Sequence, residues 1–170
     1  AFYPGPGVGG HCIPVDPNYL SYLVRRLGFQ FRFVELAQEI NERMPRYVIE
    51  LITEILNDRE KSVRGNRILL VGLAYKPDVA DLRESPSLRV AALLAERGAV
   101  LSYIDPYVDA DTGRTLGITR IDDPSQAARE CDIAVILTPH TVFDIPAIVA
   151  EAPAVLDTRG ITEPGATTRL

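Results

Sequence analysis

The 170-residue chain is poor in the groups that build metal centres and disulfide frameworks. It carries two cysteines, Cys12 and Cys131, and two histidines, His11 and His140. Two cysteines form at most one bridge, and in a chain of this size they read as free thiols of a reducing, cytoplasmic compartment. Neither belongs to a C-x-x-C pair, so no metal site is expected. No apolar run approaches the ~18 residues that a membrane-spanning helix needs. The opening residues do not read as a secretory leader. Repeats and low-complexity tracts are missing. A net charge of −5 argues against nucleic acid or an anionic membrane as the main partner, yet leaves room for a small anion held by a few cations. The chain begins at Ala1, not Met, and is expected to be a piece of a longer protein.

What is present falls into three regions. Residues 1–16 form a Gly/Pro loop without hydrophobic period, ending in GGHCIPVD. Residues 17–64 read as helical. Asp16 is expected as an N-cap with Pro17 at the first helical position, and Tyr19, Leu20, Leu23, Val24 and Leu27 share a face up to Gly28. A longer helix follows, with Ala37, Ile40, Met44, Val48, Ile52 and Ile55 three to four apart. Pro45 lies inside it and predicts a kink or break. A helix of that length needs a covering surface, either a domain junction or a second copy of the chain.

Residues 65–170 alternate strands and helices. Strands are expected at 67–72, 100–104, 132–137 and 154–156, and helices from Ser85–Pro86, over 124–130 and over 142–150. That order predicts an α/β fold, a helical arm followed by a Rossmann-like parallel sheet. The stretch between residues 104 and 124 reads only as polar.

Open parallel sheets bind ligands at the carboxyl ends of their strands. Those ends carry Tyr75 and Lys76, then Asp105, then Thr138–His140, then Asp157–Arg159. The loop after the first strand, AYKPDVADLRESP, has no glycine and so lacks the G-x-G-x-x-G of a dinucleotide cradle. It offers Lys76 and Arg83 near a helix start, with Arg159 on a neighbouring strand end, a set that suits a phosphate or pyrophosphate. The competing reading pairs these cations with Asp78, Asp81 and Glu84 at the surface.

Cys12 lies off any periodic apolar face. It reads either as a structural thiol or as a nucleophile with Asp16 as acid/base. His11 is adjacent and cannot readily turn toward it, so a Cys–His hydrolase would need His140, which reads as a surface residue. Cys131 opens an apolar strand and reads as core.

Four motifs, GPGVGGHCIPVDP, GLAYKPDVADLRESP, YIDP and VLDTRG, occur in an order that resembles the UDP-glucose/GDP-mannose (nucleotide-sugar 6-) dehydrogenase family. The resemblance covers essentially the whole chain and is to the C-terminal portion of that family. It implies a helical dimerisation region over 17–64 with a homodimer through the long helix, and a UDP-sugar-binding domain over 65–170. It further implies NAD-dependent oxidation of the sugar C6 alcohol to a carboxylate. Cys12 matches the nucleophile that carries a thiohemiacetal and then a thioester, and Asp16 the carboxylate that assists the water. Gly7, Gly9 and Gly10 match backbone that approaches the sugar. Tyr75, Lys76 and Arg159 match substrate contacts, and Arg83 a contact to the NAD phosphates. A lysine and an asparagine used by the family lie outside this sequence. Val15, where UDP-glucose enzymes carry lysine, and His11 before the cysteine resemble the branch acting on UDP-N-acetylhexosamines. The alternative is a non-catalytic UDP-sugar-binding and dimerisation module with an inert thiol.

Overall fold

The structure is a computed structural model, and it describes residues 3–170. Residues 1 and 2 of the glycine-loop region lie outside the described residues. The chain forms α1 (Cys12–Arg26), α2 (Arg32–Asn57), β1 (Arg67–Val71), α3 (Pro86–Glu96), β2 (Val100–Ile104), α4 (Ala110–Leu116), β3 (Thr119–Arg120), α5 (Pro124–Glu130), β4 (Ile133–Ile136), α6 (Ile145–Glu151), β5 (Val155–Asp157) and β6 (Thr168–Arg169). The six strands make one all-parallel sheet in the order β3-β2-β1-β4-β5-β6. That is the doubly wound order of dinucleotide-binding folds, whose chain direction reverses between β1 and β4.

Strand alternation assigns the two faces of the sheet. On one face Ile68 and Leu70 of β1 meet Leu101 and Tyr103 of β2, and Ile133 and Val135 of β4, under α3 and the second half of α2. On the other, Leu69, Val71, Ala134 and Ile136 pack beneath α5 and α6, with Cys131 among them. Strands covered on both sides read as unbroken apolar runs, which is why RILLV and IAVI were legible.

The long helix belongs to two environments. Val48, Ile49, Ile52, Ile55 and Leu56 are buried in the core of the sheet domain, while Phe33, Leu36 and Ile40 are exposed. Of the kink or break expected at Pro45, the break does not occur: α2 runs continuously through it. Proline lacks the N–H that would reach the carbonyl four residues back. Here Pro45 is itself buried where the helix meets the domain, so tertiary packing carries the helix through.

The first helix also differs. It begins at Cys12, four residues before the expected cap at Asp16, with His11 at the N-cap and Pro17 inside. Residues 12–16 are therefore helix and not loop. Arg25 on α1 pairs with Glu35 on α2, holding the two arm helices together. α4, β3 and β6 arise where no periodicity was visible. α4 owes its start to Asp109, whose side chain accepts the Thr112 N–H at 2.8 Å, and its end to Gly117 at φ +71°.

Candidate functional site

The glycine loop lies across the carboxyl end of the sheet because it has no side chains in the way. A Cβ on Gly9 would stand 2.5 Å from the Glu84 carbonyl and 2.9 Å from Tyr75 Cβ. One on Gly10 (φ +88°) would strike the Tyr75 ring at 2.8 Å, and one on Gly7 would meet Pro86 at 2.9 Å. Gly10 N–H donates to the Arg83 carbonyl at 3.1 Å. Asn41 of α2 clamps the loop from the other side, accepting the Val8 N–H at 2.6 Å and donating to the Val8 carbonyl at 3.2 Å. All three glycines expected to meet the sugar are thus also the contacts that seat the loop against the β1–α3 loop and α3.

That seating brings the candidates together. Cys12 is exposed at the first position of α1, and Asp16, also exposed, follows one turn later on the same helical face. The Arg83 guanidinium lies close enough to feel the charges of Cys12 and Tyr75. Its pKa is raised, first by the Asp81 side chain and then by those neighbours. Arg83 grips Asp81 through Nε at 3.0 and 3.1 Å and Nη2 at 2.7 Å, and that contact holds the Asp81 carboxyl down at about 2. The surface-pair reading therefore holds for Arg83. Lys76 has no carboxylate partner among the described residues, and its Nζ stands 5.4 Å from the centre of the Tyr75 ring.

Arg159 reaches the site from the end of β5. Asp157 builds its turn, accepting the N–H groups of Arg159, Gly160 and Thr162 at 2.8, 2.9 and 2.8 Å. Arg159 Nε donates to the Leu137 carbonyl at 2.6 Å, and its Nη1 would lie 2.7 Å from a Cβ on Gly5. Burial lowers its pKa, and no carboxylate pairs with it among the described residues. A half-buried guanidinium without a counter-charge is costly to leave unpaired and suits an anionic ligand.

Ser85 stands at the N-cap of α3 but its hydroxyl does not cap. It donates instead to the Leu73 carbonyl at 2.6 Å, tying the loop to its strand. The sequence reading missed the buried group next to it. Asp105 Oδ2 accepts the Leu73 N–H at 2.7 Å and faces His140 Nε2 at 3.0 Å. Burial alone would raise the Asp105 carboxyl, but the bonds from His140, Leu73 and Tyr107 outweigh it and hold its pKa down. His140, expected at the surface, is 2% exposed. Its place at a strand end beside YIDP was visible, but the fold of the loop over it was not. Cys131 is core as expected, and burial pushes its thiol up to about 11.

The same crevice tests whether the chain holds NAD. A Cβ on Gly72 would lie 2.1 Å from the Thr138 carbonyl, and the space between the ends of β1 and β4 is filled by Thr138, Asp105 and His140. The described residues form no dinucleotide cradle there.

The domain is an α/β unit with a Rossmann-like parallel sheet, and the glycine loop leading to Cys12 is seated against the segments that carry Tyr75, Lys76 and Arg159. Family comparison makes this specific. Residues 69–164 match the UDP binding domain, and residues 1–43 the central domain, of the UDP-glucose/GDP-mannose dehydrogenase family. The chain belongs to that family. It is 35% identical over 144 residues to the UDP-N-acetyl-D-mannosamine dehydrogenase of Methanococcus maripaludis, covering 82% of this chain and 30% of that protein. It is 34% identical to the UDP-N-acetyl-D-glucosamine 6-dehydrogenase of Pseudomonas aeruginosa, covering 84% of this chain and 33% of that protein. The UDP-glucose dehydrogenase structure from Pyrobaculum islandicum superposes with a TM-score of 0.79 at 29% identity, over 97% of this chain and 38% of that one. The chain thus spans about a third of the length of these curated relatives.

Proposed function

We propose that this chain is the nucleotide-sugar-binding portion of an NAD-dependent UDP-sugar 6-dehydrogenase of the reducing cytoplasm, and that its substrate is a UDP-N-acetylhexosamine. The observation that carries the reading is the glycine loop leading to Cys12, which packs against Arg159 at Gly5 and against Tyr75, the neighbour of Lys76, at Gly10. Identity to dehydrogenases named for UDP-N-acetyl-D-mannosamine and UDP-N-acetyl-D-glucosamine supports the substrate class. The proposed functional units are the segment over 1–16, of which residues 12–16 open α1, the helical region over 17–64 and the binding domain over 65–170.

In this reading Lys76 and Arg159 neutralise the charge of the nucleotide sugar, and the Tyr75 ring lies against its face. The Cys12 thiolate adds to the C6 aldehyde, forming a carbon–sulfur bond while the carbonyl oxygen takes a proton. Once that carbon is at the oxidation level of a thioester, water attacks it. Asp16, one helical turn away, accepts the water's proton, the carbon–sulfur bond breaks, and carboxylate and thiolate are released. NAD would take up the hydrides, held mainly by residues outside this chain. Arg83, exposed on the Cys12 side, is the chain's proposed contact to its phosphates. The chain alone therefore binds substrate without turning it over. The apolar side chains left open on α1 and the first half of α2 are proposed to be covered by a second copy.

Calorimetric titration of the chain with UDP, a UDP-N-acetylhexosamine and NAD tests this. The two UDP ligands bind, NAD does not, and Lys76→Ala weakens UDP by the ~1.5–3 kcal/mol of a charge-assisted bond. Preference for NAD over UDP would overturn the assignment.

A further inference from the structure

One buried cluster at the carboxyl end of the sheet has no role in the chemistry above. Three segments enclose the His140 ring. The turn after β2 supplies Asp105, whose Oδ2 lies 3.0 Å from Nε2, and Tyr107, whose ring centre is 5.0 Å away. The β1–α3 loop supplies Asp78: its N–H donates to Nδ1 at 2.9 Å, and its Oδ1 lies 3.9 Å from the same nitrogen. The segment of His140 itself supplies Phe143 edge-on at 5.3 Å, and Thr141, whose N–H and hydroxyl donate to Asp78 Oδ1 at 2.9 and 3.1 Å. These contacts define the tautomer. Nδ1 accepts, so the ring proton sits on Nε2 and points at Asp105.

The loop so held is under strain. Asp78 stands at φ +62° and Glu84 at φ +49°, conformations that residues with side chains seldom adopt. Such residues persist where their surroundings hold them, and they cluster at functional sites. Asp78 is two residues from Lys76, and Glu84 carries the carbonyl against which Gly9 packs. The clasp on Asp78 is therefore mechanically linked to both the cation and the cysteine loop.

We propose that His140, braced by Asp105, is a positioning residue for the nucleotide-sugar site: in its neutral form it accepts the Asp78 N–H and holds the loop over 74–85 in the shape that presents Tyr75 and Lys76. The inference rests on the functional reading above. A proton added to Nδ1 sets one N–H against another, which breaks the bond to Asp78 and leaves the new N–H facing Asp78 Oδ1. The loop then leaves its strained shape. Loss of that acceptor, by substitution or by protonation of Nδ1, consequently lowers UDP affinity.

The test follows the Asp78 amide by NMR hydrogen exchange and UDP binding by calorimetry, from neutral to acid pH, in three proteins. In the wild type, Asp78 protection and UDP affinity fall together, by about tenfold, the worth of one hydrogen bond. His140→Asn places a non-titrating acceptor near the Nδ1 position and makes both flat with pH. His140→Gln keeps a donor toward Asp105 without that acceptor and loses the protection at every pH. The proposal is overturned if the wild type is flat, or if His140→Asn retains the wild-type fall. Should the variants not fold, the wild-type series decides. If UDP binds at no pH while the amide behaves as described, the functional reading fails and the clasp stands. If UDP binds with no pH dependence, the positioning role fails.

Discussion

Cys12 and Cys131 show how environment separates two chemically identical groups. Cys12 is exposed on the first turn of α1, with Arg83 close by. Cys131 is 3% exposed against α5, where burial holds it as a thiol up to about 11. Alkylation follows the accessible thiolate. Iodoacetamide at neutral pH therefore adds one group per native chain, mass mapping places it on Cys12, and Cys12→Ser abolishes it. Rapid labelling of Cys131 in the native chain would contradict the buried placement. A Cys12 that reacts no faster than a simple thiol would favour a binding module with an inert cysteine.

At the scale of elements, the strand ends are shaped by aspartates that gather backbone N–H groups. Burial would raise the Asp157 carboxyl, but bonds from Thr162, Arg159 and Gly160 more than reverse this, and its folded pKa lies below the ordinary carboxylate value. A depressed folded pKa gives stability that is present above the unfolded value of about 4 and lost as pH falls through the folded one. Urea midpoints of the wild type should therefore fall more steeply below about pH 4 than those of Asp157→Asn. At neutral pH the variant loses about 1–3 kcal/mol, because its amide oxygen replaces a charged acceptor. Parallel acid profiles would show that Asp157 does not hold the turn carrying Arg159. Gly72 illustrates the same tight economy of space, since at φ +82° it lets β1 end directly against the Thr138 carbonyl.

The whole molecule is divided between a filled core and an open arm. Tyr19 (67% exposed), Leu27 (74%), Phe29 (68%) and Phe33 (81%) stand in solvent on α1, α2 and their connection, together with Leu36 and Ile40. These exposed apolar side chains are the surface proposed to be covered by a second copy. Sedimentation velocity of the chain should show a dimer at micromolar concentration, and Phe33→Glu combined with Leu36→Glu should shift it toward monomer with the circular dichroism unchanged. A wild type that stays monomeric would assign the arm to another partner.

The amino-acid order by itself determined the sheet class, because RILLV, VLSYI and IAVI are apolar runs separated by capped helices, and period and length suffice to read them. It also exposed the lack of a dinucleotide fingerprint and singled out Cys12, Lys76 and Arg159, since glycine spacing and strand ends are local features. Only the tertiary structure decided the rest. Pro45 stays helical where it is buried at the edge of the domain core, with Val48 onward packed against the sheet, a force that local propensity does not contain. Helix α1 begins at Cys12 because the seated glycine loop delivers the chain there. His140 is buried because a loop some sixty residues away folds over it, as the 62-residue separation of the Asp78 N–H bond records. Contacts of that range depend on how strands pair, and no window of sequence carries them.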